Sequence, residues 1–574
     1  MSTFIHEKNG LEIECDTEYE SQDDVISLHT IIDTEIIRDK LLYSFPPDEE
    51  RDMKFGIVKI NTDVMPILNK VLFFLFTVDC SGSMSDLCND RRTKNAHIIH
   101  TLTNMLRFFS EKENISIYVQ VDAFDDTITS IIQIVQVSPA NVEELILKLK
   151  KIHPRNSTNI ELALKNASEQ IDSASKTLLE KTLLNPDKHH IFMTDGDITQ
   201  GNSCEKHLKT LLNPTATNIF IGFGIDHNIK VLSELGGGND QSSSVNNYYF
   251  IDVLENSGLV YGEIIHNILY ASLKHVELIV VNGLIYNWKT NAWTNTLNIG
   301  NIIFETEKVY HIVSFVELDR DVEVGTPTII SASGFVENAD NPFFYTQYSS
   351  NSSFVESITK YKYRQRTQQL LYLARHFDDY KNQGAMKKKL DDFFNELKAC
   401  VEGGDGLVLD DKPFMKLLMD DVYITRKMFG TTYNSLYSNA RQTSQGTQRC
   451  YNVGHLSADS TAGPVGVPRI TRHVTHHLTD DVDGLGAWTA TQPYNKLYEE
   501  DEEKEKEKDG LLGTDDMDGG ADELVDGYEI SQNVDTPYST PALLGIMRQI
   551  SAPTQQYGFF KDDDFLKTAR HTTV

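Results

Sequence analysis

The sequence lacks paired cysteines, long apolar runs and an excess of positive charge, and each lack closes off a class of function. Its six cysteines, Cys15, Cys80, Cys88, Cys204, Cys400 and Cys450, are scattered with no Cys-x-x-Cys pair. That excludes a RING or zinc ribbon of ordinary spacing and fits reduced thiols in a cytosolic setting. With 53 Lys+Arg against 84 Asp+Glu, the formal charge is -31. Phosphate backbones and anionic membranes demand the opposite sign, so no nucleic-acid partner is expected. No apolar run approaches the roughly eighteen residues of a spanning helix, so no membrane span is expected. Met1 to Glu20 is rich in Glu and has no apolar signal-like core, so the location expected is cytoplasmic. Sequons such as Asn114-Ile115-Ser116 then read as chance. A P-loop, a His-Glu-x-x-His helix, a nucleophile elbow and a Ser-His-Asp order are all missing too, and no enzyme is expected.

What is present is organised around Val71 to Ser85. Val71-Leu72-Phe73-Phe74-Leu75-Phe76-Thr77-Val78 is an unbroken apolar run that ends abruptly in Asp79-Cys80-Ser81-Gly82-Ser83. Such a run reads as a buried central strand of a parallel sheet opening into a polar loop. In open α/β sheets ligands sit outside the carboxyl ends of the strands, which is where Asp79, Ser81 and Ser83 arrive. These hard oxygen donors, with Gly82 permitting a tight turn, suit a small divalent cation such as Mg²⁺. A strand ending in Asp-x-Ser can equally be a helix N-cap.

Two further segments favour the cation. His189 to Met193 is a second apolar strand, ending in Thr194-Asp195-Gly196-Asp197, and between the two lies Asn156-Ser157-Thr158-Asn159, a polar turn opening a helix. Asp79-x-Ser81-x-Ser83, then Thr158, then Asp195 in a Thr-Asp-Gly context resembles the metal-ion-dependent adhesion site (MIDAS) of von Willebrand factor type A (vWA) domains. The resemblance implies that Ser81, Ser83 and Thr158 bind the ion through hydroxyls, and Asp79 and Asp195 directly or through water. It leaves one octahedral position for an acidic side chain of a protein partner. Two aspartates neutralise a divalent ion and hydroxyls add no charge, so the ion stays electrophilic enough to take a further carboxylate. Mn²⁺ and Ca²⁺ accept similar oxygen ligands.

In chain order, residues 1–50 read as a flexible acidic lead with a short helix around Thr30 to Leu42, and Phe55 to Asn61 as an edge strand. Residues 51–272 then read as one doubly wound, mostly parallel sheet of the Rossmann-like vWA kind. Ile98, Leu102, Met105 and Phe109 fall at helical spacing; Ile115 to Phe124 and Thr127 to Val137 read as a hairpin with Asp125-Asp126 as its solvated turn. Asn141 to Lys150 and the stretch from Asn159 read as helices, Asn218 to Gly224 and Tyr248 to Ile251 as strands, and Glu255 to Ala271 as a closing helix. Gly236-Gly237-Gly238 follows a helix and reads as its stop rather than as a phosphate cradle.

Residues 273–345 read as a small antiparallel β-sandwich, with Asn282-Gly283 as a type I′ hairpin signal. A helical region follows over 355–430, broken at Gly403-Gly404. The order of domains resembles intracellular vWA proteins carrying the accessory region found beside Hint or RING domains. That likeness is carried by Arg364-Gln365-Arg366-Thr367, Gln448-Arg449 and Tyr538-Ser539-Thr540-Pro541-Ala542-Leu543. This chain has no RING cysteines and a tail too charged for a Hint domain, so neither activity is inherited. Residues 431–574 read as a largely disordered acidic tail, densest in charge at Glu499 to Asp509. His473, His476 and His477 with Asp480, Asp481 and Asp483 read as a solvated loop. Pro541 to Ile550 reads as a docking helix, strapped to the body or offered to a partner. The function expected is a cytoplasmic scaffold that captures a partner's acid through the ion; a hydrolase using the same ion is the alternative.

Overall fold

The fold is taken from a computed structural model that describes residues 6–8, 11–13, 26–45, 50–449, 536 and 538–551, with interruptions at 63–69, 87–91, 156, 196–197, 224–226, 238–242, 252–256, 317, 320–321, 324–327, 337–341, 349–357, 379–381, 404–410 and 432. A short hairpin (β1, His6–Lys8; β2, Leu11–Ile13) precedes two long strands, β3 (Ser27–Ile36) and β4 (Asp52–Asn61). The next elements are β5 (Val71–Asp79), α1 (Lys94–Ser110), β6 (Ser116–Phe124), β7 (Ile128–Gln136), α2 (Val142–Leu149) and α3 (Ile160–Thr182). They continue as β8 (Asp187–Thr194), α4 (Glu205–Thr210), β9 (Thr217–Phe223), α5 (Ile229–Leu235), β10 (Tyr248–Ile251) and α6 (Ser257–Leu269).

β5 to β10 form one sheet in the order β10-β9-β8-β5-β6-β7, parallel except for β7. β5 lies at its centre with all nine residues buried, because helices cover both faces and water reaches neither. On one face Val71, Phe73 and Leu75 meet Ala167, Ile171, Ala174 and Leu178 of α3. Burying Ile171 or Leu178 contributes about 1.5–3 kcal/mol each. On the other, Phe74 stacks on Phe109 of α1 at 4.9 Å between ring centroids. The α/β class read from the sequence is the class observed, and the loops after β5 and β8 leave the sheet at the carboxyl ends of two neighbouring parallel strands, while Thr158 lies in the connection from α2 to α3.

The second layer corrects several expectations. β11 (Ala271–Val281), β12 (Gly283–Asn287), β13 (Ala292–Thr294), β14 (Thr296–Ile303), β15 (Lys308–Val316), a small ladder of β16 (Leu318–Asp319) and β17 (Val322–Glu323), β18 (Ile329–Val336) and β19 (Pro342–Tyr348) follow α6. They make a four-stranded sheet, β14-β11-β18-β19, and a five-stranded one, β13-β12-β15-β4-β3. The antiparallel sandwich therefore takes two strands from ahead of β5. Thr30 to Leu42 is mostly strand rather than helix. Phe55 to Asn61 is interior to its sheet, flanked by β3 and β15. The two sheets share a core in which Leu28, Val58 and Ile60 meet Leu273, Leu278, Leu297, Ile312 and Ile330. Asn282-Gly283 is not a hairpin turn. β11 and β12 belong to different sheets, and the turn is the corner between them. Asn282 takes the left-handed conformation at φ 57. A Cβ on Gly283 would lie 2.2 Å from the Val313 carbonyl oxygen, so only glycine lets the chain turn there.

α7 (Thr359–Arg375), α8 (Gln383–Gly403), α9 (Lys412–Met428) and α10 (Asn434–Thr447) pack as a helical layer. α10 lies inside the stretch read as disordered. Its buried residues include Ser438, Asn439, Arg441, Gln442 and Gln445. Arg441 is balanced by Asp421 of α9 at 3.0 Å, and the Gln445 amide donates to the same carboxylate at 2.6 Å. Burial pushes Asp421 up to about 6 against the pull of Arg441. Next to it, buried Asp420 receives Lys416 at 2.9 Å.

The three short segments that carry the accessory-region likeness meet here. Arg364 donates to the carbonyls of Val309 at 3.0 Å and Gln445 at 2.7 Å. Gln448 pairs with both backbone groups of Val309, Arg449 donates to the Tyr248 carbonyl, and the Thr536 hydroxyl to that of Arg449. The Tyr538 ring faces the Arg364 guanidinium at 5.5 Å. The last described helix, α11 (Pro541–Ser551), then lies on α6 and α1 of the same chain. Contact is close because α6 offers glycines: a Cβ on Gly262 would sit 2.6 Å from the Met547 Cα, and one on Gly258 2.7 Å from the Ser551 Cα. The acidic runs between Glu499 and Asp526 and the histidines from His473 lie outside the described residues.

Candidate metal centre

Asp79 is the last residue of β5, and nothing of it is exposed. Its Oδ1 accepts the Ser81 backbone N–H at 2.7 Å, so the carboxylate itself bends the chain into the loop that presents the two serines. Its Oδ2 accepts the Thr194 hydroxyl at 2.5 Å from the end of β8. Asp195, one residue beyond that strand, is also buried and accepts the Ser83 hydroxyl at 2.8 Å. The Ser81 and Ser83 hydroxyl oxygens stand 3.2 Å apart. Four of the five residues singled out in the sequence are thus linked through one polar cluster.

Thr158 reaches the same edge by backbone stitching. Its N–H donates to the Thr199 hydroxyl at 2.7 Å, and its carbonyl accepts the N–H groups of Thr199 and Gln200, both at 3.1 Å. The loop leading to it is tied to the first loop by the Arg155 N–H on the Cys80 carbonyl at 2.6 Å, and to β6 by the Asn159 N–H on the Asp125 carbonyl. Asn159 caps α3, accepting the Leu162 N–H at 3.0 Å. Glu161 in the first turn holds the far loop through the Asn202 N–H and His207, and bonds from Lys165 of its own helix, from His207 and from that N–H keep its carboxyl down at about 2. Among the described residues, the Thr158 hydroxyl makes no hydrogen bond to the other four side chains.

Two residues were misjudged or missed in the sequence. Asp125 is buried, not a solvated turn: it accepts the Thr127 N–H and hydroxyl and pairs with Arg155 at 3.1 Å. Lys94, at the start of α1, was not singled out at all. Its Nζ lies 2.6 Å from Asp195 Oδ2 and 3.5 Å from Asp86 Oδ2. Burial pulls its pKa down, but the bond to Asp195 more than offsets that, so Lys94 is held above its usual value.

The electrostatics are unequal across the cluster. Burial pushes Asp79 up to about 6, although the Thr194 hydroxyl and both Ser81 groups favour its charged form. Asp195 and Asp125 each have a cation beside them, whereas among the described residues Asp79 is hydrogen-bonded by neutral donors, the Ser81 N–H and the Thr194 hydroxyl. Cys80 is no candidate nucleophile, since burial raises its thiol to about 11 in spite of Arg155. Among the described residues no group of three or more His, Cys, Asp or Glu gathers for a metal, so a cation here depends on hydroxyl ligands. The spacings suit one. Neighbouring ligands of an octahedral Mg²⁺ with bonds of about 2.1 Å are about 3 Å apart, and the separations of 2.8 Å and 3.2 Å found here lie on either side of that value.

No family model matches the chain, and no curated protein matches it. Among solved structures it is similar to the ArnB paralog VWA2 from Sulfolobus acidocaldarius, at 12% identity, with 73% of this chain and 97% of that one covered and a TM-score of 0.43. It is also similar to a von Willebrand factor type A structure from Catenulispora acidiphila, at 12% identity, 74% and 96% coverage and a TM-score of 0.42. A third, proximal thread matrix protein 1 from the mussel byssus with a zinc occupied MIDAS motif, matches at 15% identity over 38% of this chain and 50% of that one, with a TM-score of 0.29. Among the described residues no helix is long and apolar enough to cross a membrane.

Proposed function

We propose that the chain is a non-enzymatic interaction protein of the cytoplasm, whose Asp79, Ser81, Ser83, Thr158 and Asp195 hold a divalent cation, Mg²⁺ or Mn²⁺ or Ca²⁺, as a MIDAS does. The observation that carries this is the clustering of two buried carboxylates and two hydroxyls at ligand spacing, with Asp79 held by neutral donors among the described residues. A buried carboxylate without a counter-charge is costly, and an incoming cation repays that cost. Hydroxyl ligands keep the ion's charge unspent, so what it supplies when bound is an open position for the carboxylate of a partner protein. The residues around it favour holding over turnover: the Cys80 thiol stays protonated and Lys94 is engaged by Asp195. The sandwich and helical layers act as scaffold behind the loops.

The test is a calorimetric titration of the full chain with Mg²⁺ and Mn²⁺, followed by pull-down from source cells. Saturable binding lost in Asp79→Ala and Thr158→Ala, and a partner released by EDTA, support the reading. A partner retained by both variants and in EDTA removes it. Metal-dependent ATPase, phosphatase or peptidase turnover that vanishes in Asp195→Ala would put a hydrolase in its place.

A further inference from the structure

The Lys94 ammonium stands between two carboxylates of different exposure. Asp195, at 2.6 Å, is wholly buried, while the side chain of Asp86, at 3.5 Å, is 64% exposed. Asp86 is fixed beside the start of α1, because its carbonyl accepts the Lys94 backbone N–H at 3.1 Å. The lysine itself is only 15% exposed, so it is part of the cluster rather than a surface chain passing over it. Asp79, Asp195 and Lys94 together carry one net negative charge, whereas the two aspartates alone carry two. An ammonium and a divalent cation served by the same Asp195 carboxylate repel each other strongly at this depth.

We propose that Lys94 is the resident counter-cation of the cluster, and that it passes from Asp195 to Asp86 when a divalent cation enters. The inference rests on the cation reading above and deepens it, because it names the residue that sets how much free cation the site needs. With Lys94 on Asp195, the empty cluster keeps one carboxylate paired and the loops stay folded without metal. The cation must displace that ammonium, so its affinity is lower than the ligand set alone would give. Asp86 lowers the cost of displacement by offering a second carboxylate less than a side chain's length away. After the exchange the ammonium remains at the rim, where it adds positive charge next to the position open to a partner's acid.

Two substitutions in the full chain push in opposite directions. Lys94→Met removes the competitor: Mn²⁺ and Mg²⁺ titrations should show binding tighter by about tenfold or more, and melting in EDTA should drop while the gain on adding Mn²⁺ grows. Asp86→Asn, at an exposed position that leaves folding intact, removes the receiving carboxylate and should weaken Mn²⁺ binding several-fold, with the melting point in EDTA unchanged. Lys94→Arg, which keeps the charge, should stay near the wild type. Equal or weaker binding in Lys94→Met, with the wild type still binding, overturns the inference and leaves the cation reading intact. Unchanged binding in Asp86→Asn overturns the transfer to Asp86. Absence of binding in the wild type and in Lys94→Met alike overturns the cation reading itself.

Discussion

Two of the regions in which this molecule buries acids balance them differently. In the helical layer Asp421 faces Arg441 and Asp420 faces Lys416, so each carboxylate has a cation from the chain. At the loop edge of the doubly wound sheet, Asp125 has Arg155 and Asp195 has Lys94, while Asp79 is met by a hydroxyl and an amide. The first arrangement supplies each acid with a counter-charge from the chain, although burial still lifts Asp421 to about 6. The second is one positive charge short at its most buried carboxylate, and that shortfall is what a binding site for a cation requires.

The contrast can be broken at its strongest point by Asp421→Ala. It strands the fully buried Arg441 and should cost about 3–5 kcal/mol in chemical denaturation, the usual result of removing one member of a buried pair. The opposite sign is expected at the loops. Asp79 rises from an ordinary 3.8 to about 6 in the folded chain. The folded state therefore binds the proton more tightly than the unfolded one. Ionising Asp79 costs stability that sets in above pH 4, is full above pH 6 and disappears as pH falls back to the unfolded value. At about 1.4 kcal/mol per pKa unit, Asp79→Asn should stabilise the protein in EDTA at pH 8 by up to about 3 kcal/mol, and should abolish stabilisation by Mn²⁺. A loss of stability in EDTA would mean that the Thr194 hydroxyl and the Ser81 N–H on Asp79 outweigh the cost of its burial.

The smallest effect concerns a control group away from both regions. His190 lies between Thr77 and Asn218, and burial lowers its pKa from 6.5 to about 4. The unfolded chain takes up the proton first. Stability is full above pH 6.5 and declines as pH falls toward 4. Between pH 6.5 and 5 the wild type should lose about 2 kcal/mol from this residue, and His190→Gln should flatten that slope in urea midpoints without touching cation affinity. A slope unchanged in the variant would assign the acid sensitivity to other groups.

How much was legible follows from how local each signal is. The run from Val71 to Val78 announces a two-sided buried strand by composition alone, and Asp79, Ser81, Ser83 and Asp195 are tied to strand ends, so spacing suffices to find them. Lys94 escapes any such rule, because a long side chain reaches the cluster from a helix start that a spacing pattern does not mark. Asp125 looked solvated because its partner Arg155 comes from a different loop. β3 was misread for a different reason: a register shift between Ile32 and Ile36 breaks its alternation, and Ile31, Ile32 and Ile36 then imitate helical spacing. α10 hid because its buried side is polar, and hydropathy cannot distinguish a polar helix packed on polar partners from a solvated tail.

The placement of β3 and β4 bears on how the chain emerges from a ribosome. They can pair with each other early, but β4 has its other edge open until β15 is made, and the whole doubly wound unit is synthesised in between. Throughout that interval the growing polypeptide exposes an unpaired strand edge, the feature most prone to join a neighbouring nascent chain. The yield of native molecules is then expected to respond to translation speed and chaperone supply as well as to equilibrium stability.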